Sequence, residues 1–278
     1  MSTVDFITEL FCRVDDQMKE VAKHPQASLY PGEIVTLALL FCLKGVGNRA
    51  FYRWVQGDLL TLFPSLPERT RLFRLFATHR EWAERFMAEP TMLGLADTYS
   101  IQLLHPNRYG RSPRQIGKLG ISNKRWLVGV KLCFVLNKWG LVVGWDSATA
   151  NVHDTSFHPL IRRWEQEMVV IADHGFYSAR GAKGYPKRRR GWAEPNPANP
   201  SNLKVCKTKQ WNSRMIVETV LSMLTQVCHF KRLAHRVWVY LQAHLAYTMA
   251  LFNLLVLWND LQPDEHGRVH LSIARFSL

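Results

Sequence analysis

Apolar residues recur at helical spacing over 4–22, 32–44, 48–57, 68–77 and 79–88, which predicts a helical region spanning residues 1–90. Pro25, Pro31, Gly32, Gly45, Gly47, Pro64 and Pro67 punctuate it as turn formers. Near residue 91 the pattern changes. A short apolar run reaches Asp97, and residues 126–137 and 141–149 are rich in β-branched and aromatic side chains. Lys138, Trp139 and Gly140 stand between those two runs, so the pair reads as a hairpin.

The stretch that begins at His153 looks helical, with Asp154 or Thr155 as its N-cap. Residues 168–173 form a wholly apolar run that ends on Asp173, the pattern of a buried strand in a sheet covered on both faces. Ser178 to Gln210 is rich in Gly, Pro, Lys and Arg and reads mostly as loop. Helical spacing returns from Asn212 to His229 and again over about 234–259. The expected architecture is α/β: a mixed sheet flanked by helices, a helical N-terminal region, and a C-terminal helix packed on the sheet. The expected boundaries are 1–90, 91–260 and a tail at 261–278.

Residues 239–258 are long and apolar enough to cross a bilayer. Gln242, His244 and Asn253 within them favour a buried packing helix instead. The N-terminus lacks a basic stretch followed by an apolar core, so it does not read as a secretory signal. The five cysteines are widely spaced without a CxxC pair, which argues against a zinc site or a disulfide framework and for free thiols in a reducing compartment.

Charge adds a partner class. Lys and Arg total 36 against 22 Asp and Glu, a formal net charge of +14. Such an excess attracts polyanions, nucleic acid above all. The basic residues gather in three places: Arg69, Arg71, Arg74, Arg80 and Arg85 among apolar helical positions, the tract 107–125, and the loop 183–192 with Lys187, Arg188, Arg189 and Arg190. Lys204, Lys207 and Lys209 extend the last of these. The basic helical tract fits either a DNA-contacting surface or an amphipathic helix pair with a solvated face. Trp192 and Trp211 among these charges can stack on a base or pack in a core.

Three carboxylates carry candidate chemistry. Asp97 ends an apolar run, Asp173 follows four apolar residues and precedes Gly175, and Glu218 lies on a largely apolar helix four residues after Arg214. Each has an ordinary reading as a cap, strand-end or surface residue. Together they suit phosphodiester chemistry, in which two divalent cations neutralise the phosphate and activate water or a 3′-hydroxyl. Hard cations prefer carboxylate oxygens. His174 is a further candidate for positioning water or phosphate. Asp146 and Asp154 are rival carboxylates, Asp146 the substitute for Asp97 and Asp154 better read as a helix cap.

The segments ADT (96–98), IADHGFYSARG (171–181) and RMIVETVLSML (214–224), in this order, resemble the DDE transposases of bacterial insertion sequences over roughly residues 90–260. The resemblance implies an RNase H-like core, with Asp97 on the first core strand, Asp173 ending a later one, and Glu218 on a helix behind Arg214. It implies metal ligation by all three acids, two Mg²⁺ ions (or Mn²⁺), cleavage at element ends, transfer of the freed 3′-hydroxyl to target DNA, and a homodimer assembled on DNA. Arg214, Lys187, Arg188, Arg189, Arg190, Lys207, Lys209 and Trp211 are the expected DNA contacts, and the bacterial cytoplasm the expected location. In one branch of that family a Tyr precedes the Arg by three positions and a Lys follows the Glu by seven; here those places hold Trp211 and Thr225. A nuclease or resolvase of the same fold, or a catalytically inactive DNA-binding derivative, would share most of these features.

Overall fold

A computed structural model of the chain describes residues 2–122, 124–179, 198–206, 214–233, 235–259 and 272–276. The chain divides into two compact units, Met1–Met87 with Ser222–Leu278, and Ala88–Leu221.

The first unit is helical. Helix α1 (Thr3–Met18) starts at a capping box in which the Ser2 hydroxyl accepts from the Asp5 amide and the Asp5 carboxylate accepts from the Ser2 amide. It buries one face through Phe6, Ile7, Leu10, Val14 and Met18. Helix α2 (Pro31–Lys44) begins with proline and is buried almost all round. It stops at Gly45, whose φ of 59° is left-handed. A side chain there would also run into the His229 ring. Helices α3 (Asn48–Asp58) and α4 (Arg69–Thr78) follow, then a 3₁₀ segment, Arg80–Phe86. Phe41, Phe51, Phe73 and Phe76 make edge-on ring contacts in the core of this unit.

Helix α7 (Trp238–Trp258) packs against α2, α4 and the Arg80–Phe86 segment. It belongs to the helical unit. Polar anchors fix its register. Tyr247 donates its hydroxyl to His79 O at 2.8 Å, and Asn253 donates to Phe86 O at 2.9 Å. Among the described residues α7 is the one unbroken helix long and apolar enough to cross a membrane, and 83% of its most apolar window is buried within the protein.

The second unit is built on a mixed sheet. Strand β1 (Leu93–Leu104) pairs antiparallel with β3 (Arg125–Asn137). Strands β2 (Lys118–Ser122) and β4 (Val142–Thr149) both pair antiparallel with β3, over different parts of it. On the other side β5 (Val169–Ala172) runs parallel to β1, and β6 (Leu203–Val205) parallel to β5. The expected hairpin is present: Asn137 N donates to Leu141 O, and the Asn137 side-chain oxygen accepts from the amides of Trp139 and Leu141. Strand β6 falls in a stretch that reads from the sequence as loop, and β2 within the basic tract 107–125.

Helix α5 (His158–Arg162) and the 3₁₀ turn Asp154–Phe157 cover part of the sheet. Phe157, Leu160, Ile161 and Phe176 bury against Ala96, Cys133, Val135, Val170 and Ala172. The helix expected over this stretch is thus shorter, with its first turn in 3₁₀ form. Helix α6 (Arg214–Gln226) buries Val217, Val220, Met223 and Leu224.

Candidate active site

Asp97 stands inside β1, paired across from Phe134, with the strand running on to Leu104. It is thus not at a strand end, as the sequence suggested, because the residues after it continue the ladder with β3. Its Oδ1 accepts from the Thr98 amide at 2.7 Å. Asp173 follows the last residue of β5 and caps a short 3₁₀ turn, His174–Phe176. Its Oδ1 accepts from the Gly175 amide at 2.9 Å.

Register brings the two aspartates level. Strands β1 and β5 are parallel, with Leu95 opposite Ile171. Asp97 and Asp173 each lie two residues further on, and the backbone of Asp173 is still extended (φ −76°, ψ 176°). They therefore occupy matching heights on neighbouring chains, whose backbones run about 4.8 Å apart. Both are half-buried.

A further carboxylate, Asp154, stands beside Asp173. Asp154 Oδ1 accepts from Lys131 Nζ at 2.8 Å and from the Thr98 hydroxyl at 3.0 Å. Lys131 also donates to Val152 O at 2.8 Å. The ion pair is largely enclosed, its side chains 13% and 19% exposed. The other Asp154 oxygen faces Gly175: a Cβ at that glycine would lie 2.4 Å from Asp154 Oδ2 and 3.1 Å from Asp173 Oδ1. Asp154 and Asp173 are thus neighbours across the Gly175 backbone.

Asp154 is not the helix cap read from the sequence. His153 takes that place, its ring Nδ1 accepting from the Thr155 amide, which leaves the Asp154 carboxylate for Lys131. Lys131 was missed as a site residue, and Asp154 was weighed as a rival carboxylate but read as a cap. The available signal was a lysine in the apolar run 126–137, since a charge there needs an internal partner. His158 was missed too. Its ring Nε2 lies 2.7 Å from Phe176 O and ties α5 to the turn after Asp173. Burial lowers its pKa, so the ring is neutral near pH 7 and donates to that carbonyl.

The buried Cys133 thiol reports the field of this region. Its pKa is pushed well up, first by burial and then by the negative charges of Asp97, Asp154 and Asp146. Asp146 is exposed on β4, opposite Cys133 on the neighbouring strand.

Glu218 is exposed on α6, one turn after Arg214, which opens that helix. His174 is exposed beside Tyr177, with ring centres 6.0 Å apart. Lys204 is exposed on β6. Lys187, Arg188, Arg189, Arg190, Lys207, Lys209, Trp211 and the Arg214 side chain lie outside the described residues.

Asp97 and Asp173 have the donor chemistry of a divalent cation site: carboxylates oriented by backbone amides on adjacent chains. Among the described residues, however, no three His, Cys, Asp or Glu side chains stand close enough together to hold a metal ion. Asp97 and Asp173 fit such an ion as a partial set. A comparison with protein-family models and a comparison with curated proteins each find no match to this chain.

Proposed function

We propose that the chain is a DDE-type DNA transposase whose sheet unit is an RNase H-like catalytic core. The observation that carries this reading is the level placement of Asp97 in β1 and Asp173 just past the end of its parallel neighbour β5, beside the largely buried Lys131–Asp154 pair. The mixed sheet supports it, with the first core strand β1 inside and the later strands β5 and β6 joining parallel to it. The net charge of +14 suits a DNA partner.

In this reading Asp97 and Asp173 supply carboxylate oxygens to divalent ions, Mg²⁺ or Mn²⁺, and Glu218 provides the third acid when DNA is engaged. Such ions neutralise the scissile phosphate and activate water or a 3′-hydroxyl. The amides of Thr98 and Gly175 orient the two aspartates. Lys131 holds Asp154 in place, and Asp154 packs against the Gly175 turn that carries Asp173. Arg214, Lys187, Arg188, Arg189, Arg190, Lys207, Lys209 and Trp211 contact DNA. Two copies assemble on paired element ends, in the bacterial cytoplasm.

The test is cleavage and joining on DNA that carries the ends of the element encoding this chain, with Mg²⁺ or Mn²⁺. Wild-type protein cuts at the ends and joins a pre-cut 3′ end to target DNA, while Asp97→Asn and Asp173→Asn do neither. Cutting without joining would leave a nuclease of the same fold. DNA-dependent activity that survives Asp173→Asn would refute the catalytic assignment.

A further inference from the structure

Strands β2 and β3 form a ribbon that closes at Ser122 opposite Arg125. Next to that end Ile121 and Trp126 stand directly opposite each other, and they are 56% and 59% exposed. Opposite residues of an antiparallel pair share one face of the sheet, so the two side chains make a single apolar patch. Strand β2 is at the edge of the sheet. Exposed apolar residues on an edge invite unwanted pairing, and proteins ordinarily cover them or replace them with charge. Their retention here points to a partner that uses them.

Charge identifies the partner's chemistry. Between Asp97 and Asp146 the chain has no Asp or Glu and eight Lys and Arg. Lys118, Lys124 and Arg125 on the ribbon are exposed, as are Arg108, Arg111 and Arg114 in the segment that leads into it. None of these six forms an ion pair among the described residues. Lys124 has a φ of 62°, a left-handed conformation in which Gly or Asn is the usual turn residue. A cation thus stands at the tip against the preference of the backbone. Position ties the ribbon to the candidate active site. Side chains alternate along a strand, so Trp126 and Phe134, eight residues apart on β3, share a face. Asp97 lies directly opposite Phe134 on β1. The apolar pair therefore projects from the sheet face that carries Asp97, about 27 Å further along the strand direction.

We infer that the β2–β3 ribbon is a contact for duplex DNA. Its cations neutralise phosphates on either side of a groove, while Ile121 and Trp126 wedge into a base step and bend the duplex. An unstacked step exposes base faces, which an indole and a branched aliphatic side chain can cover. Duplex DNA is stiff enough to reach from Asp97 to the ribbon as one ligand. The inference rests on the reading of the chain as an enzyme that acts on DNA.

Fluorescence anisotropy of the full chain with a labelled duplex that carries an element end, without divalent metal, tests it. Energy transfer between dyes at the two ends of the duplex reports the bend. Wild type is expected to bind and to bring the dyes closer. Ile121→Ala combined with Trp126→Ala weakens binding roughly tenfold to a hundredfold, leaves the duplex straight, and keeps the wild-type salt dependence. Trp126→Phe alone keeps most of the bend. Lys124→Ala with Arg125→Ala instead makes the plot of log affinity against log salt shallower by about two. These side chains face solvent, so unchanged melting temperatures show that the variants are folded. If the apolar double variant binds and bends the duplex as wild type does, the inference falls and the DNA reading stands. It falls in the same way if that variant loses only self-association, seen by light scattering, and keeps its DNA affinity. If wild type binds no duplex, both fall. Binding is read without metal and hence without cleavage, so a failure of the catalytic assignment alone shows separately, in the cleavage test.

Discussion

Lys131 Nζ lies 2.8 Å from Asp154 Oδ1, and this one contact joins the middle of β3 to the turn that packs against Gly175. Both groups are mostly withdrawn from water, so removing one strands the other. Lys131→Met should lower stability by about 2–3 kcal/mol, below the full cost of an entirely buried pair because some solvent reaches both groups. Lys131→Met with Asp154→Leu should recover much of the loss. A double-mutant cycle from urea unfolding measures the coupling. Additive single effects would show that the pair does not hold the turn.

Asp97 and Asp173 should behave oppositely. If they serve a cation, their carboxylates matter to function more than to folding. Asp97→Asn and Asp173→Asn retain the acceptor oxygens that meet the Thr98 and Gly175 amides. The expected melting temperatures lie within about 3 °C of wild type without metal. Millimolar Mn²⁺ should raise the wild-type melting temperature through ligand linkage and leave both variants unmoved. An equal Mn²⁺ response in all three proteins would place the ion elsewhere.

Gly175 tests how closely the turn must approach Asp154. In Gly175→Ala the new methyl would stand 2.4 Å from Asp154 Oδ2, so one of them must move. Asp154 is held by Lys131 and Thr98 and cannot swing freely. The expected loss is about 1–3 kcal/mol, the range for overpacking. It should shrink when Asp154→Ala is added, since the clashing oxygen is gone, and chemical denaturation of the four proteins reads this out. If both backgrounds lose the same amount, the strain has another source.

Much of the fold was legible because it rests on local pattern. The helical N-terminal region, the β3–β4 hairpin and the apolar strand before Asp173 all follow from periodicity. What stayed hidden depends on partners distant along the chain. The five residues of β2 include Lys118 and Gly120, and β6 has three residues, so neither carries enough pattern to outweigh its loop-like surroundings. The high mean hydropathy of α7 shows that it is buried without showing against what. Asp154 has a plausible local role as a cap, and only the folded sheet brings Lys131 to it. For the same reason the level placement of Asp97 and Asp173 is a property of β1–β5 register, not of either motif.

Two histidines of the helical unit, His235 and His244, contribute to the pH response. Burial drives the pKa of His244 down to about 3 and that of His235 to about 4, against an ordinary 6.5. In the unfolded chain both return to that ordinary value, so between pH 6.5 and about 4 the unfolded state binds protons that the native state refuses. Stability is therefore fully present above pH 6.5 and falls as pH drops through this window. At the plateau of that range each histidine contributes a slope of about 1.4 kcal/mol per pH unit. Urea midpoints at pH 7 and pH 5 should differ accordingly, and His244→Met should flatten the dependence by about half. A midpoint equal at pH 7 and pH 5 in the unliganded protein would mean that the two rings are not shielded from water as the packing around Phe41 and Tyr240 implies.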